Sequence, residues 1–196
     1  VRKQWDGPLI LKGIMDVEDA RLAVQSGSDA IVVSNHGGRQ LDGAPSSIHA
    51  LPSIVDAVGK QIEVWMDGGI RGGQDVLKAW AMGARGTMIG RAMAYSLGAF
   101  GEAGVSKALQ ILHKELDVSM AFCGHTNIQN VDTGILLPGT FPTKDTPQYW
   151  SSPARATPVS LRCEVVVSAA IGSMLVMWFC EPVLCQGVLP RGRNLH

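Results

Sequence analysis

One pattern occurs four times in the first 90 residues and leaves few folds open to the chain: a short apolar run, a polar or glycine-rich turn, then residues at helical spacing. The runs are Leu9–Ile14, Ala30–Ser34, Ile62–Met66 and Gly86–Ile89, set roughly 20–35 residues apart. Asp16 is placed to cap the first helix, which would bury Ala20, Ala23 and Val24 on one face and end at Gly27. Ile48, Leu51, Ile54, Val55 and Val58 mark the second helix. Val76, Leu77, Trp80 and Ala81 mark the third, before Gly83. A short helix should follow the fourth run, and a longer one should lie near Lys107–Leu116. Strands separated by helices predict right-handed βαβ units in a parallel sheet. Because the runs are apolar throughout and do not alternate, both faces of the sheet are expected to be covered.

Composition narrows the possibilities further. The chain has 196 residues, 46% hydrophobic and 17% charged, which suits one domain with a sizeable core and excludes a disordered linker. Seventeen basic residues balance seventeen acidic ones, which argues against nucleic acid or an anionic membrane as a bulk partner. Glycine is in excess at 23 residues, a sign of tight turns and close backbone approach to a ligand. The four cysteines show no CxxC spacing, so a reducing cytoplasm is the expected compartment. No signal peptide is visible, and the opening Val1-Arg2-Lys3, without a starting Met, suggests a piece of something longer.

The pattern stops near Pro142. Residues 1–142 hold 12 basic and 14 acidic residues (net −2), whereas residues 143–196 hold 5 and 3 (net +2). Thr143–Pro158 reads as a loop. Val165–Cys180 is an uncharged run of 16 residues, short of the roughly 20 needed to span a bilayer. It reads as a buried hairpin or helix, or as a stretch with no evolved structure. The expected organisation is therefore a domain over 1–142 and an irregular tail over 143–196.

Every run ends in residues able to carry chemistry. Lys12 lies inside the first and Gly13 follows it. The second ends at Ser34 and continues Asn35-His36-Gly37-Gly38-Arg39-Gln40-Leu41-Asp42. Asp67-Gly68-Gly69-Ile70-Arg71-Gly72-Gly73 follows the third, and Gly90-Arg91 the fourth. Ligands of parallel α/β folds bind at the carboxyl ends of the strands, where loops and helix N-termini converge. The glycines would let backbone N–H groups approach an anion, with the helix beginning near Gln74 pointing its positive end at the same place. Phosphate held by the loops after the last two strands is an arrangement of the (β/α)8 barrel. His36 is of a type that suits a general base near neutral pH, and Arg39 suits bidentate capture of a carboxylate. Lys12 is costly to bury unless it meets an anion; the alternative is a lysine snorkelling outward at the strand end. Cys123 and His125 alone make a poor metal site, and no metal is expected.

These motifs, in order and spacing, resemble the C-terminal half of the FMN-dependent (S)-2-hydroxy acid dehydrogenases and oxidases, the family of flavin L-lactate dehydrogenase, glycolate oxidase, mandelate dehydrogenase and flavocytochrome b2. The Ser34–Asp42 run is the most specific part, and the resemblance covers roughly residues 5–142. Arg39–Gly43 and Cys123-Gly124-His125 look most like bacterial L-lactate dehydrogenase-type members. The resemblance implies four βα units, half of a (β/α)8 barrel, with FMN as cofactor and a small 2-hydroxy acid, foremost L-lactate, as substrate. It makes His36 the base and Arg39 the carboxylate clamp. It places Lys12 beside the flavin N1 and C2 carbonyl, and Ser34 against the ring. It gives Asp67, Gly68, Gly69, Ile70, Arg71, Gly90 and Arg91 to the ribityl and phosphate parts.

In the family, the first half of the barrel supplies a second substrate arginine, tyrosines near the substrate and the carboxylate that orients the catalytic histidine, and none of these is located here. The chain is thus expected to be a fragment with an unpaired edge at its first strand, binding FMN weakly or not at all alone. Its full-length form is expected to be a homo-oligomer, cytoplasmic or peripheral to the inner membrane, passing electrons to oxygen or a quinone. Two other readings share the phosphate loops: an isopentenyl-diphosphate isomerase type 2 or IMP dehydrogenase-like barrel, and an inactive half-barrel that merely binds a phosphorylated ligand.

Overall fold

The computed structural model describes residues 1–147 and one further two-residue strand. Each apolar run becomes a parallel strand: β1 (Ile10–Ile14), β2 (Ala30–Val33), β3 (Glu63–Met66) and β4 (Gly86–Thr87). They lie in the order β4-β3-β2-β1, so that sequential strands are neighbours, as short right-handed crossovers require. The crossovers are α1 (Val17–Gln25), α2 (Ser47–Val58) and α3 (Gly73–Ala81). The last strand is shorter than Gly86–Ile89, although Met88 N–H still donates to Met66 O at 3.0 Å.

The helices form where the sequence places their caps and apolar faces. Asp16 caps α1 by accepting the Glu18 N–H at 2.8 Å, and α1 buries Ala20 and Ala23. α2 buries Ala50, Leu51, Ile54 and Val58. Against these faces pack Ile14, Ile31, Val33, Val64 and Met66 from the sheet. Each such large aliphatic side chain contributes about 1.5–3 kcal/mol by leaving water. A second cluster of Leu77, Ala81 and Val131, with Trp80, Leu116 and Met120 around it, joins α3 to α4 (Arg91–Phe122). The backbone of α4 breaks at Phe100 and Gly101, the latter at φ +59°, so the span holds a short helix followed by a longer one, as the sequence predicts.

Two expectations need correction. The opposite face of β3 is not sealed: Trp65 is half-buried, and its Nε1 donates to the exposed Glu63 at 2.8 Å, so among β1 to β4, β2 alone is buried along its whole length. Nor is the β1 edge bare, because Ile10 and Leu11 pair antiparallel with Val166 and Val165 of β5 (Val165–Val166). The rest of the Thr143–Pro158 loop beyond residue 147, the remainder of the Val165–Cys180 run, and Cys163, Cys180 and Cys185 lie outside the described residues. Among the described residues no helix is long and apolar enough to cross a membrane.

Candidate functional site at the carboxyl ends of the strands

Lys12 does not snorkel. Its side chain is 5% exposed, and Nζ meets Asp67 Oδ2 at 2.9 Å and donates to Ser34 Oγ at 2.9 Å. The anion needed to bury a lysine is therefore supplied by the chain itself, across β2 from the end of β3. Ser34, fully buried, also accepts the His36 N–H at 3.2 Å. Three strand ends are thus tied into one chain of contacts, from Asp67 through Lys12 and Ser34 to the backbone of His36.

His36 opens a tight turn, His36–Gly38, with φ +56°, the left-handed region a residue with a side chain enters only when its surroundings hold it there. Asn35 provides that hold: its Oδ1 accepts the Gly37 N–H at 3.0 Å and its Nδ2 donates to Pro45 O at 3.1 Å. Its own N–H donates to Ser47 Oγ at 3.1 Å. Sequence reasoning gave Asn35 and Ser47 no role, although an Asn directly before Gly-Gly is a signal for a side-chain-capped turn. Arg39 ends the turn and is exposed.

The Asp67–Gly73 loop divides in two. In its first half Asp67 Oδ1 is buried with no hydrogen-bond partner among the described residues, and a Cβ on Gly69, which is exposed at φ +89°, would meet none of them within 4 Å. Gly68 is packed instead, since a Cβ there would lie 2.8 Å from Ser47 Oγ. Ile70 is 5% exposed and turns its side chain into the core, so among the loop residues assigned to cofactor it can offer backbone only. In the second half Arg71, exposed, gives its N–H to Asp75 Oδ2 at 2.9 Å, and Gly72 does the same at 3.0 Å. The Gly73 N–H goes to Glu115 Oε2 at 2.9 Å.

This corrects the expectation that α3 presents its positive end to a ligand, because two carboxylates of the chain already occupy it. The N-terminus of α4 is different. Among the described residues no side chain caps it, its first turn holds no acidic residue, and a Cβ on Gly90 would again meet nothing within 4 Å. The first intrahelical bond there is Ala94 N–H to Gly90 O, which leaves the N–H groups ahead of it for another acceptor. The Arg91 side chain leans toward the histidine turn, with Nη2 3.5 Å from where a Gly37 Cβ would lie.

Known proteins fit this geometry. A family profile described as FMN-dependent dehydrogenase matches residues 1–138. The L-lactate dehydrogenase of Caulobacter vibrioides (strain NA1000 / CB15N) is 52% identical over 136 residues, 69% of this chain and 36% of that protein. That of Pseudomonas syringae pv. syringae (strain B728a) is 52% identical over 137 residues, again 36% of its length. Among solved structures, a mandelate oxidase variant with the monooxide FMN adduct superposes with a TM-score of 0.64 at 50% identity, over 66% of this chain and 41% of that one. The chain therefore spans little more than a third of the curated relatives it matches. Four parallel βα units, the strand-end cluster and a match over residues 1–138 together make the chain a member of the FMN-dependent dehydrogenase family.

Proposed function

We propose that residues 1–142 are the cofactor-phosphate and acid–base half of a barrel that oxidises (S)-2-hydroxy acids, L-lactate first among them, to 2-oxo acids with FMN. The observation that carries this reading is the strand-end cluster, in which Lys12, Ser34, Asp67 and His36 converge beside an uncapped helix N-terminus. The rim also fits a phosphorylated cofactor. Asp67 Oδ1 lacks a donor that a ribityl hydroxyl would supply. Gly69 and Gly90 leave a cradle that any side chain would fill, and the N–H groups of α4 await an anion.

FMN held there would take up the two electrons of the oxidation. The protein residues do the rest: Arg39 holds the substrate carboxylate, and the His36 imidazole takes the proton that the substrate loses. Lys12 keeps a positive charge within the cluster, with Asp67 and Ser34 fixing its ammonium. Arg71 and Arg91 stand exposed beside the phosphate cradle.

Because the chain spans little more than a third of its relatives, the test pairs it with the remainder of one of them. Co-expression with the part of an L-lactate dehydrogenase relative that this chain does not match should give a yellow complex that L-lactate bleaches. His36→Ala should slow bleaching by about 10²–10⁴. Arg39→Lys should mainly raise KM. Bleaching at an unchanged rate with His36→Ala would refute the assignment.

A further inference from the structure

We propose that Gly13 is a positioning residue for His36, and that β1 is bulged at this point to make room for the imidazole; the inference deepens the reading of His36 as the base and rests on it. β1 and β2 run in register through Lys12, paired with Val32, but Ile14 then pairs with Val33, so Gly13 is the residue squeezed out of the ladder. Its φ is +98°. Above it lies the histidine ring: a Cβ on Gly13 would stand 2.6 Å from His36 Nε2 and 3.4 Å from Cε1. No real side chain tolerates the first of these distances, so the ring edge rests on the bare Cα.

The backbone that carries the ring is held on both sides. The His36 N–H is tied to Ser34 Oγ, the next peptide N–H to Asn35 Oδ1, and φ at His36 is already in the left-handed region. β1 therefore sets the histidine from two adjacent residues, Lys12 through the Ser34 hydroxyl and Gly13 by contact. A glycine present only to relieve backbone strain would be indifferent to the side chain at position 36. Gly13 is not, and that difference is measurable.

The experiment is a double-mutant cycle on the 196-residue chain, read as the urea midpoint of unfolding. Gly13→Ala should lower the midpoint through both backbone strain and the clash with the ring. Repeated in a His36→Ala background, the same change should cost less than half as much, since only the strain remains. An equal loss in both backgrounds would overturn the proposal. Should Gly13→Ala alone fail to fold, recovery of folding by His36→Ala supports the coupling, and failure of the double variant counts against it. A second readout leaves position 13 untouched. In NMR spectra, removing the His36 ring should shift the Gly13 Hα resonances more than those of Gly27, Gly59 or Gly83, and an unmoved Gly13 would also overturn the proposal. Neither measurement involves turnover, so failure here is distinguishable from failure of His36 as the base.

Discussion

At the N-terminal ends of the strands, Arg2 and Asp29 form an ion pair at 2.6 Å with side chains 32% and 57% exposed; at the carboxyl ends Lys12 and Asp67 form one at 2.9 Å with side chains 5% and 15% exposed. The first pair is a solvated clasp. Arg2 also donates to Gly27 O and Gly7 O, and Asp29 accepts the Leu9 N–H at 2.7 Å, so both ions help to pin the chain start to β1 and β2. The second pair is desolvated and leaves one carboxylate oxygen with no donor among the described residues. Burying two charges costs several kcal/mol before their attraction offsets it, so stability alone does not account for such a pair. In parallel α/β folds one end of the strands serves stability and the other chemistry, and the two ion pairs divide in that way.

The sharpest way to break this comparison is to remove one cation from each rim. Lys12→Met strands the Asp67 carboxylate in a buried place and should cost about 3–5 kcal/mol in urea unfolding. Arg2→Met should cost a small fraction of that. Replacing both buried ions, Lys12→Met with Asp67→Leu, should return most of the lost stability while abolishing any response to flavin or phosphate. A double variant as unstable as Lys12→Met would show that the pair is held for the fold, and would dissolve the distinction between the rims.

A second contrast lies within the carboxyl rim, between a helix start closed by Glu115 and Asp75 and one left open at Gly90. Glu115→Ala opens the closed one. It should cost about 1 kcal/mol, as loss of a helix cap does, and should speed hydrogen exchange at the Gly73 amide. Glu115→Gln keeps an acceptor and should cost less. The contact is tight, since a Cβ on Gly73 would run into the backbone of Leu112, Glu115 and Leu116. Unchanged exchange at Gly73 in Glu115→Ala would mean that packing, and not the carboxylate, closes this end.

The same contrast marks what the sequence could disclose. Periodicity located β1 to β4 and α1 to α4, because burial of a strand face or helix stripe depends on spacing within one segment. The capping role of Asp16 is equally local. The partner of Gly73 is not: Glu115 lies 42 residues away, and nothing near either residue announces the bond. For the same reason the glycines after β3 look alike on paper, while Gly69 faces open space and Gly68 faces Ser47. Lys12 is an intermediate case. Its place in an apolar run demanded an anion, but only the parallel register of β1, β2 and β3 identifies that anion as Asp67. Arg2 went unnoticed because a basic residue near a chain start carries no pattern until Asp29 and Gly27 are folded against it.

The smallest expected effect belongs to the N-terminal clasp and is visible only in acid. The Leu9 N–H, and after it the Arg2 guanidinium, hold the Asp29 carboxyl below the ordinary carboxylate range. A carboxyl whose pKa falls on folding binds its proton more weakly in the folded chain, so its stabilising effect is complete above the unfolded pKa of about 3.9 and fades as pH drops through the folded value. Wild type should therefore exceed Asp29→Asn in stability at neutral pH, and the two should converge at the acid end, where Asp29 is protonated and resembles the amide. Because the Leu9 N–H is the first cause, Arg2→Ala should preserve part of this acid dependence, and added salt should weaken only the part owed to Arg2. Thermal unfolding of the three proteins across the acid range decides the matter. A gap between wild type and Asp29→Asn that persists at the lowest pH would place the stabilisation in the geometry of the side chain and not in its charge, and the clasp would no longer be electrostatic in the sense that the Lys12–Asp67 pair is.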